Sequence, residues 1–206
     1  MTSARTRAEQ KRHTRALIVA AGREAVAARG FAGLVVREIA REAGIVPTAF
    51  YRHFDSLDAL ATELAAGSAE ALGSLVDSLV GDPGADPATG WPPIAAAAAA
   101  AAPQTWSVLA RGLVDTGHPD HRVLSDAVDT ARRRVGIALG RHEALAGADG
   151  GAVDVAADLV VVDLLRLLVE VSAGRDPRPA VEESGRRLRV VLAGAASGGA
   201  DVAGSS

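Results

Sequence analysis

The chain has 206 residues, 49% of them apolar, 3% aromatic and none of them cysteine, with 22 Lys and Arg set against 25 Asp and Glu. That is ample material for the core of one large or two modest domains, and the lack of cysteine excludes disulfides, thiolate zinc sites and thiol catalysis. The formal charge of -3 conceals an asymmetry, because residues 1–54 carry ten Lys or Arg against four Asp or Glu while residues 55–206 carry twelve against twenty-one.

A basic amino-terminal part on an acidic body is the charge layout of a phosphate-binding module joined to a separate regulatory or oligomerising unit. Arg5, Arg7, Lys11, Arg12 and Arg15 gather in an arm before and within the first helix, Glu9 to Arg29, where Leu17, Ala21, Ala25 and Ala28 recur at helical spacing. Such an arm either meets a nucleic-acid backbone or simply solubilises the chain. Thr2 to Arg15 is polar and basic, with no apolar stretch of the signal-peptide kind, so the cytoplasm is the expected compartment. Gly30-Phe31 ends the helix, and Phe31 is expected to plug a small core beside Phe50 and Phe54.

Val36, Ile39, Ala40 and Ala43 form the apolar face of a second helix, and Gly44 sits where the chain must stop and reverse. Pro47, with a preset φ and no amide hydrogen, suits the first turn of a third helix. With Phe50 and Phe54 four apart on its buried side, Thr48, Ala49, Arg52 and His53 fall on the opposite side and Tyr51 at the flank. This layout is a helix-turn-helix with one packing face and one reading face; the plain alternative is an ordinary helix pair. In the DNA reading, Arg52 or Thr48 contacts bases, Tyr51 and His53 contact phosphate, and the arm meets backbone or minor groove, with Arg37, Pro47 and Ala49 completing the surface. His53 has a rival role packing beside Phe54.

Asp55 or Ser56 caps a fourth helix running to about Val80, which links the module to the body. Gly81 to Pro93 is dense in breakers and reads as a loop, and the eight alanines Ala95 to Ala102 favour helix. Trp106 to Val114 is expected to be helical, Gly117 to Asp120 a turn, Arg122 to about Leu145 a longer helix, and Ala146 to Gly151 a break. In Val153 to Val171 the charges Asp163, Arg166 and Glu170 occupy one narrow side, so the helix must be covered on two sides. Val181 to Leu192 supplies its partner. Leu164, Leu165, Leu168, Leu188, Val191 and Leu192 are the expected dimer interface, with burial inside a monomer as the alternative. Neither this stretch, with its five charges, nor the proline-broken run Pro87 to Ala110 would span a bilayer well, so no membrane partner is expected.

The whole reads as all-α: a helix-turn-helix domain at 1–55, a helical effector-binding and dimerisation domain at 56–193, and a disordered tail at 194–206, rich in Gly, Ala and Ser. His118-Pro119-Asp120-His121 with His142 is the one group that could be imagined as metal ligands, and it reads as a solvated loop. There is no phosphate-cradling glycine motif, nucleophile elbow or paired-His helix. No catalytic residue, metal or cofactor is expected.

The run of a first helix, Gly30-Phe31, Val36-Arg37-Glu38-Ile39-Ala40, Ala43-Gly44-Ile45 and Phe50-Tyr51-Arg52-His53-Phe54 resembles the TetR family of bacterial transcriptional regulators over about the first sixty residues. Within that family, Gly44 to Phe54 is most similar to repressors of unsaturated fatty-acid synthesis, with a weaker echo in Pro103-Gln104-Thr105-Trp106 and Arg111. Three positions depart from the pattern. Val35-Val36 stands where Ser or Thr often precedes the second helix, Val46 where Ser often caps the third, and Leu57 where Lys often begins the fourth, which implies fewer phosphate contacts than usual. The resemblance implies a homodimeric repressor on an inverted-repeat operator in double-stranded DNA, modulated by a small apolar or acyl effector in the carboxy-terminal body. Trp106, Arg111 and Arg166 are the candidate effector residues, and for the similar subgroup the effector class would be long-chain acyl thioesters. The alternative is a helical lipid or acyl carrier, or a dimeric interaction protein, without sequence-specific DNA binding.

Overall fold

Thr6 starts the first helix two residues earlier than the periodicity suggests: its hydroxyl accepts from the Glu9 amide, and the Glu9 carboxylate accepts from the Thr6 amide at 2.6 Å. A computed structural model describes residues 6–198, and every regular element among them is helical. The α-helices are α1 Arg7–Arg29, α2 Val36–Glu42, α3 Pro47–Phe50, α4 Leu57–Val80, α5 Pro87–Ala101, α6 Pro103–Val114, α7 His121–Gly140, α8 Gly150–Ser172 and α9 Pro177–Gly198. Short 3-10 turns follow α1 at Phe31–Gly33 and α7 at Glu143–Leu145.

The turn between α2 and α3 rests on Gly44, whose φ of 69° is in the left-handed region that a side chain disfavours. Val35 and Val46 stand at the N-caps of α2 and α3 and offer no side-chain oxygen, so neither helix is capped that way. Ser56 does cap α4, accepting from the Ala59 amide at 3.0 Å.

Two apolar cores share α4. The amino-terminal core joins Ile18 and Val26 of α1, Phe31, Ile39 of α2, Phe50 of α3 and Phe54 to Leu60 and Leu64 of α4 and Val108 of α6. Leu72 to Leu79 of α4 belong instead to the larger core formed with α5 to α9. The first turns of α4 are therefore fixed by the amino-terminal module and its last turns by the body.

Three boundaries correct the sequence expectation. Residues 87–93 are not loop: Asp86 accepts from the Ala88 amide at 2.8 Å and Pro87 opens α5, which carries Pro92 and Pro93 inside it. Pro92 leaves the Ala88 carbonyl without its helical donor, and α9 comes close against it through Gly185, where a Cβ would lie 2.7 Å from that oxygen. The helix expected to reach Leu145 stops at Gly140, after which His142 accepts from the Ala144 amide at 3.2 Å and a 3-10 turn buries Leu145. The tail expected from Gly194 starts in helix, because Ala195 packs into the body core and α9 continues through Gly198. Residues 199–206 lie outside the described residues.

Candidate nucleic-acid interface

The second unit of the helix-turn-helix is a four-residue helix continued by hydrogen-bonded turns, with Arg52, His53 and Phe54 donating to Ala49, Phe50 and Phe50 carbonyls at 3.2, 2.9 and 3.1 Å. Phe50 and Phe54 turn inward with ring centroids 5.7 Å apart, and Phe31 joins the same core as expected. Thr48, Tyr51 and Arg52 stand exposed on the other side, with Pro47, while Ala49 and His53 are half-buried. The Tyr51 ring meets Phe50 edge-on at 5.4 Å, which aims the phenol outward.

The amino-terminal module exposes further cations. Arg7, Lys11 and Arg12 are exposed along the start of α1 and Arg37 on α2; Arg5 lies outside the described residues. Arg15 is not part of the free set. Its guanidinium forms a two-pronged ion pair with Glu63 of α4 and sits 4.4 Å above the Phe54 ring, so it ties α1 to α4. Burial, with Lys11, Arg15 and Arg52 nearby, holds the His53 imidazole below the ordinary histidine range, and its Nδ1 has no partner among the described residues. His53 is thus partly a packing residue, in a field that favours an anion.

The module is joined to the body by a set of contacts absent from the sequence reading. Gln104 of α6 donates to Glu24 of α1 at 2.7 Å, and Arg111 of α6 reaches the Ala27 carbonyl at 3.5 Å. The turn at 117–120 is no solvated loop. Asp120 is buried, accepts from Thr62 of α4 at 2.9 Å and lies 3.5 Å from His118, whose ring stacks 4.5 Å from Phe31. His121 is bonded to the Gly112 carbonyl and Ser125. Gly112 has no room for more than hydrogen, since a Cβ there would lie 2.2 Å from Leu124 and 3.2 Å from Phe31.

In the body, four of the six expected dimer residues and Trp106 lie inside the chain. Leu164, Leu168, Leu188 and Leu192 are buried in the chain's own core, and Leu165 and Val191 are half-buried against it. On the narrow charged side of α8, buried Asp163 turns to α9 and accepts from Ser184 and Arg187, while exposed Arg166 joins Arg175 and Arg187 in ion pairs with Glu170 and Glu183. Alongside the exposed Asp154, Asp158 and Arg166, the large apolar side chains of α8 left outward are Val155, Leu159, Val162 and Val169, exposed by 60, 48, 53 and 43%. Their heptad-like spacing was visible in the sequence, but nothing there distinguished it from the equally regular apolar positions now in the core. Trp106 is a buried strut whose indole N–H donates to the Ala98 carbonyl at 2.9 Å, and Arg166 is a surface ion-pair residue. The space enclosed among Leu72, Leu79, Val135, Val161 and Leu168, between α4, α7 and α8, measures about 10 Å³.

Comparison with known proteins agrees with this arrangement. Residues 18–64 match the family model of bacterial regulatory proteins, tetR family. Over 59 residues the chain is 52% identical to an uncharacterized HTH-type transcriptional regulator of Haemophilus influenzae, a stretch covering 28% of this chain and 29% of that relative. A TetR-family transcriptional regulator from Streptomyces coelicolor superposes with a TM-score of 0.68 at 18% identity, over 90% of this chain and 97% of its own. A TetR-like transcriptional regulator from a Rhodococcus species gives 0.67 at 18% identity, over 93% and 100%. At those identities the likeness is one of fold. No described helix is long and apolar enough to cross a membrane.

Proposed function

We propose that the protein is a cytoplasmic TetR-type transcriptional repressor that binds an inverted-repeat operator as a homodimer and is modulated by a small apolar or acyl effector in its carboxy-terminal body. The observation that carries this reading is the outward face of Thr48, Tyr51 and Arg52, held by the inward Phe50 and Phe54, with Lys11 near enough to act on His53 and Arg7, Arg12 and Arg37 exposed on the same module. That is a base-reading surface bordered by phosphate-binding cations. The amino-terminal domain at 1–55 supplies it, and the body at 56–193 doubles and regulates it.

Doubling falls to α8. Val155, Leu159, Val162 and Val169 form an exposed apolar stripe that a second copy would cover, and Leu164 and its buried neighbours support that stripe from within. A twofold dimer places two reading helices about 34 Å apart or somewhat more, in successive major grooves. Regulation falls to α6 and the 117–120 turn, which touch α1, Phe31 and α4 together. A 100-fold loss of operator affinity on effector binding requires about 2.7 kcal/mol of coupling, and the operator weakens the effector by the same factor. The likeness of Gly44 to Phe54 to repressors of unsaturated fatty-acid synthesis favours an acyl compound as that effector.

Anisotropy titration of a labelled duplex of mixed sequence tests the reading. Affinity should fall linearly with salt on logarithmic axes, with a slope set by the number of phosphates neutralised. The carrier reading predicts no salt-dependent duplex binding by folded, dimeric protein.

A further inference from the structure

We propose that a cleft at the far end of the body binds a small organic anion, a carboxylate on an apolar frame. The cleft lies between the end of α4, the loop at 81–86, the start of α5 and the end of α7, and measures about 280 Å³. Since α4 has 24 residues, the cleft at its end lies roughly 36 Å along the helix from its first residue at 1.5 Å per residue. The filled interior between α4, α7 and α8 leaves this as a roomier site for a ligand.

Its walls are apolar: Val80, Pro83, Trp91, Ile137 and Ala138. Ile137 is 57% exposed there, beside a Trp91 that is only 3% exposed, so a large aliphatic side chain is left facing open space. The polar groups are donors in excess. A backbone amide can only donate, so the bond from Ala144 to His142 Nδ1 places the imidazole proton on Nε2, which is left to donate. The Trp91 indole N–H is buried without a partner, and Arg141 is exposed and makes no ion pair, both among the described residues. Arg134 is already held by Asp77 and the Gly73 carbonyl, and Asp82 lends one oxygen to the Gly84 amide. Water meets the donors of exposed Arg141 and half-buried His142 in the free protein, and a ligand carrying acceptors would replace it.

Acceptors on an apolar frame describe a carboxylate better than inorganic phosphate, which would leave the Ile137 and Pro83 walls uncovered. The volume lies just under the ~300–1,000 Å³ range of small-molecule pockets, so the ligand is compact. As an effector site the cleft rests on the regulator reading; as a binding site it does not.

Calorimetric titration of the full chain without DNA tests binding, with para-butylbenzoate and its neutral counterpart para-butylbenzamide as probes. The acid should bind about tenfold tighter or more, as charge-assisted bonds to Arg141 and His142 require. Arg141→Gln should bring the acid to the level of the amide, and Ile137→Glu should abolish binding of both without changing the melting temperature or the oligomeric state. Equal affinity for the two compounds, no binding of either, or binding indifferent to both substitutions would overturn the proposal. Duplex affinity measured with and without the acid then judges the effector role separately, and an unchanged value would overturn that role alone.

Discussion

Arg52 and Phe54 are two residues apart and face opposite ways, one into solvent and one into the core. That divergence was legible from spacing alone, because a short helix with two rings four apart has only one side left. It leads to separable outcomes. Arg52→Ala should cost about 1–3 kcal/mol of operator binding and relax the preference at one base position, whereas Lys11→Ala should weaken all duplexes alike and lower the salt slope by about one. Competition titrations with single-base operator variants distinguish the two; uniform weakening by Arg52→Ala would remove it as a base reader. His53 adds a pH effect. Burial and its cationic neighbours lower its pKa in the free protein, and phosphate nearby would raise it, so binding takes up a proton. Operator affinity should therefore rise as pH falls through the histidine range, and His53→Gln should flatten that slope. The same shift makes the free protein bind fewer protons than the unfolded chain, so His53 favours the fold above its ordinary pKa and loses that contribution as pH falls through the range between the two values. Arg15 was less legible: nothing in the arm's sequence distinguished it from Lys11, and only the fold brings Glu63, 48 positions away, beneath it.

Among the elements, the sequence located α1 to α4 well, since caps, Gly44 and Pro47 act locally. It failed where distant packing decides. Pro92 and Pro93 read as breakers, yet an Asp86 cap before them and α9 pressed close at Gly185 accommodate a helix through both. In α8, which packs against α5, α6, α7 and α9, composition cannot say which apolar face is left over. Val162→Glu places a charge in the exposed stripe and should yield a folded monomer by analytical ultracentrifugation; an intact dimer would move the interface elsewhere. Gly112→Ala should destabilise the chain by about 1–3 kcal/mol, since the added methyl meets Leu124, itself fully buried, and Phe31. Thermal melts would show it, and an unchanged melting temperature would mean that α6 and α7 are free to separate at this joint.

At the scale of the molecule, a positive amino-terminal module is joined to an acidic body, and the proposed function divides contact and control between them. The charge asymmetry is plain in the sequence, and the fold brings Lys11 and Arg15 of α1 near His53 while leaving Arg52 exposed. Each reader spans only a few base pairs, so specificity depends on pairing two of them at a fixed separation. The most direct measurement is selection of bound duplexes from a random-sequence pool by the purified chain, run beside Val162→Glu. The native protein should enrich an inverted repeat with half-sites about one helical turn apart or slightly more, and the monomeric variant should enrich none. Enrichment of no sequence by folded dimer, or of a single unpaired half-site, would contradict it.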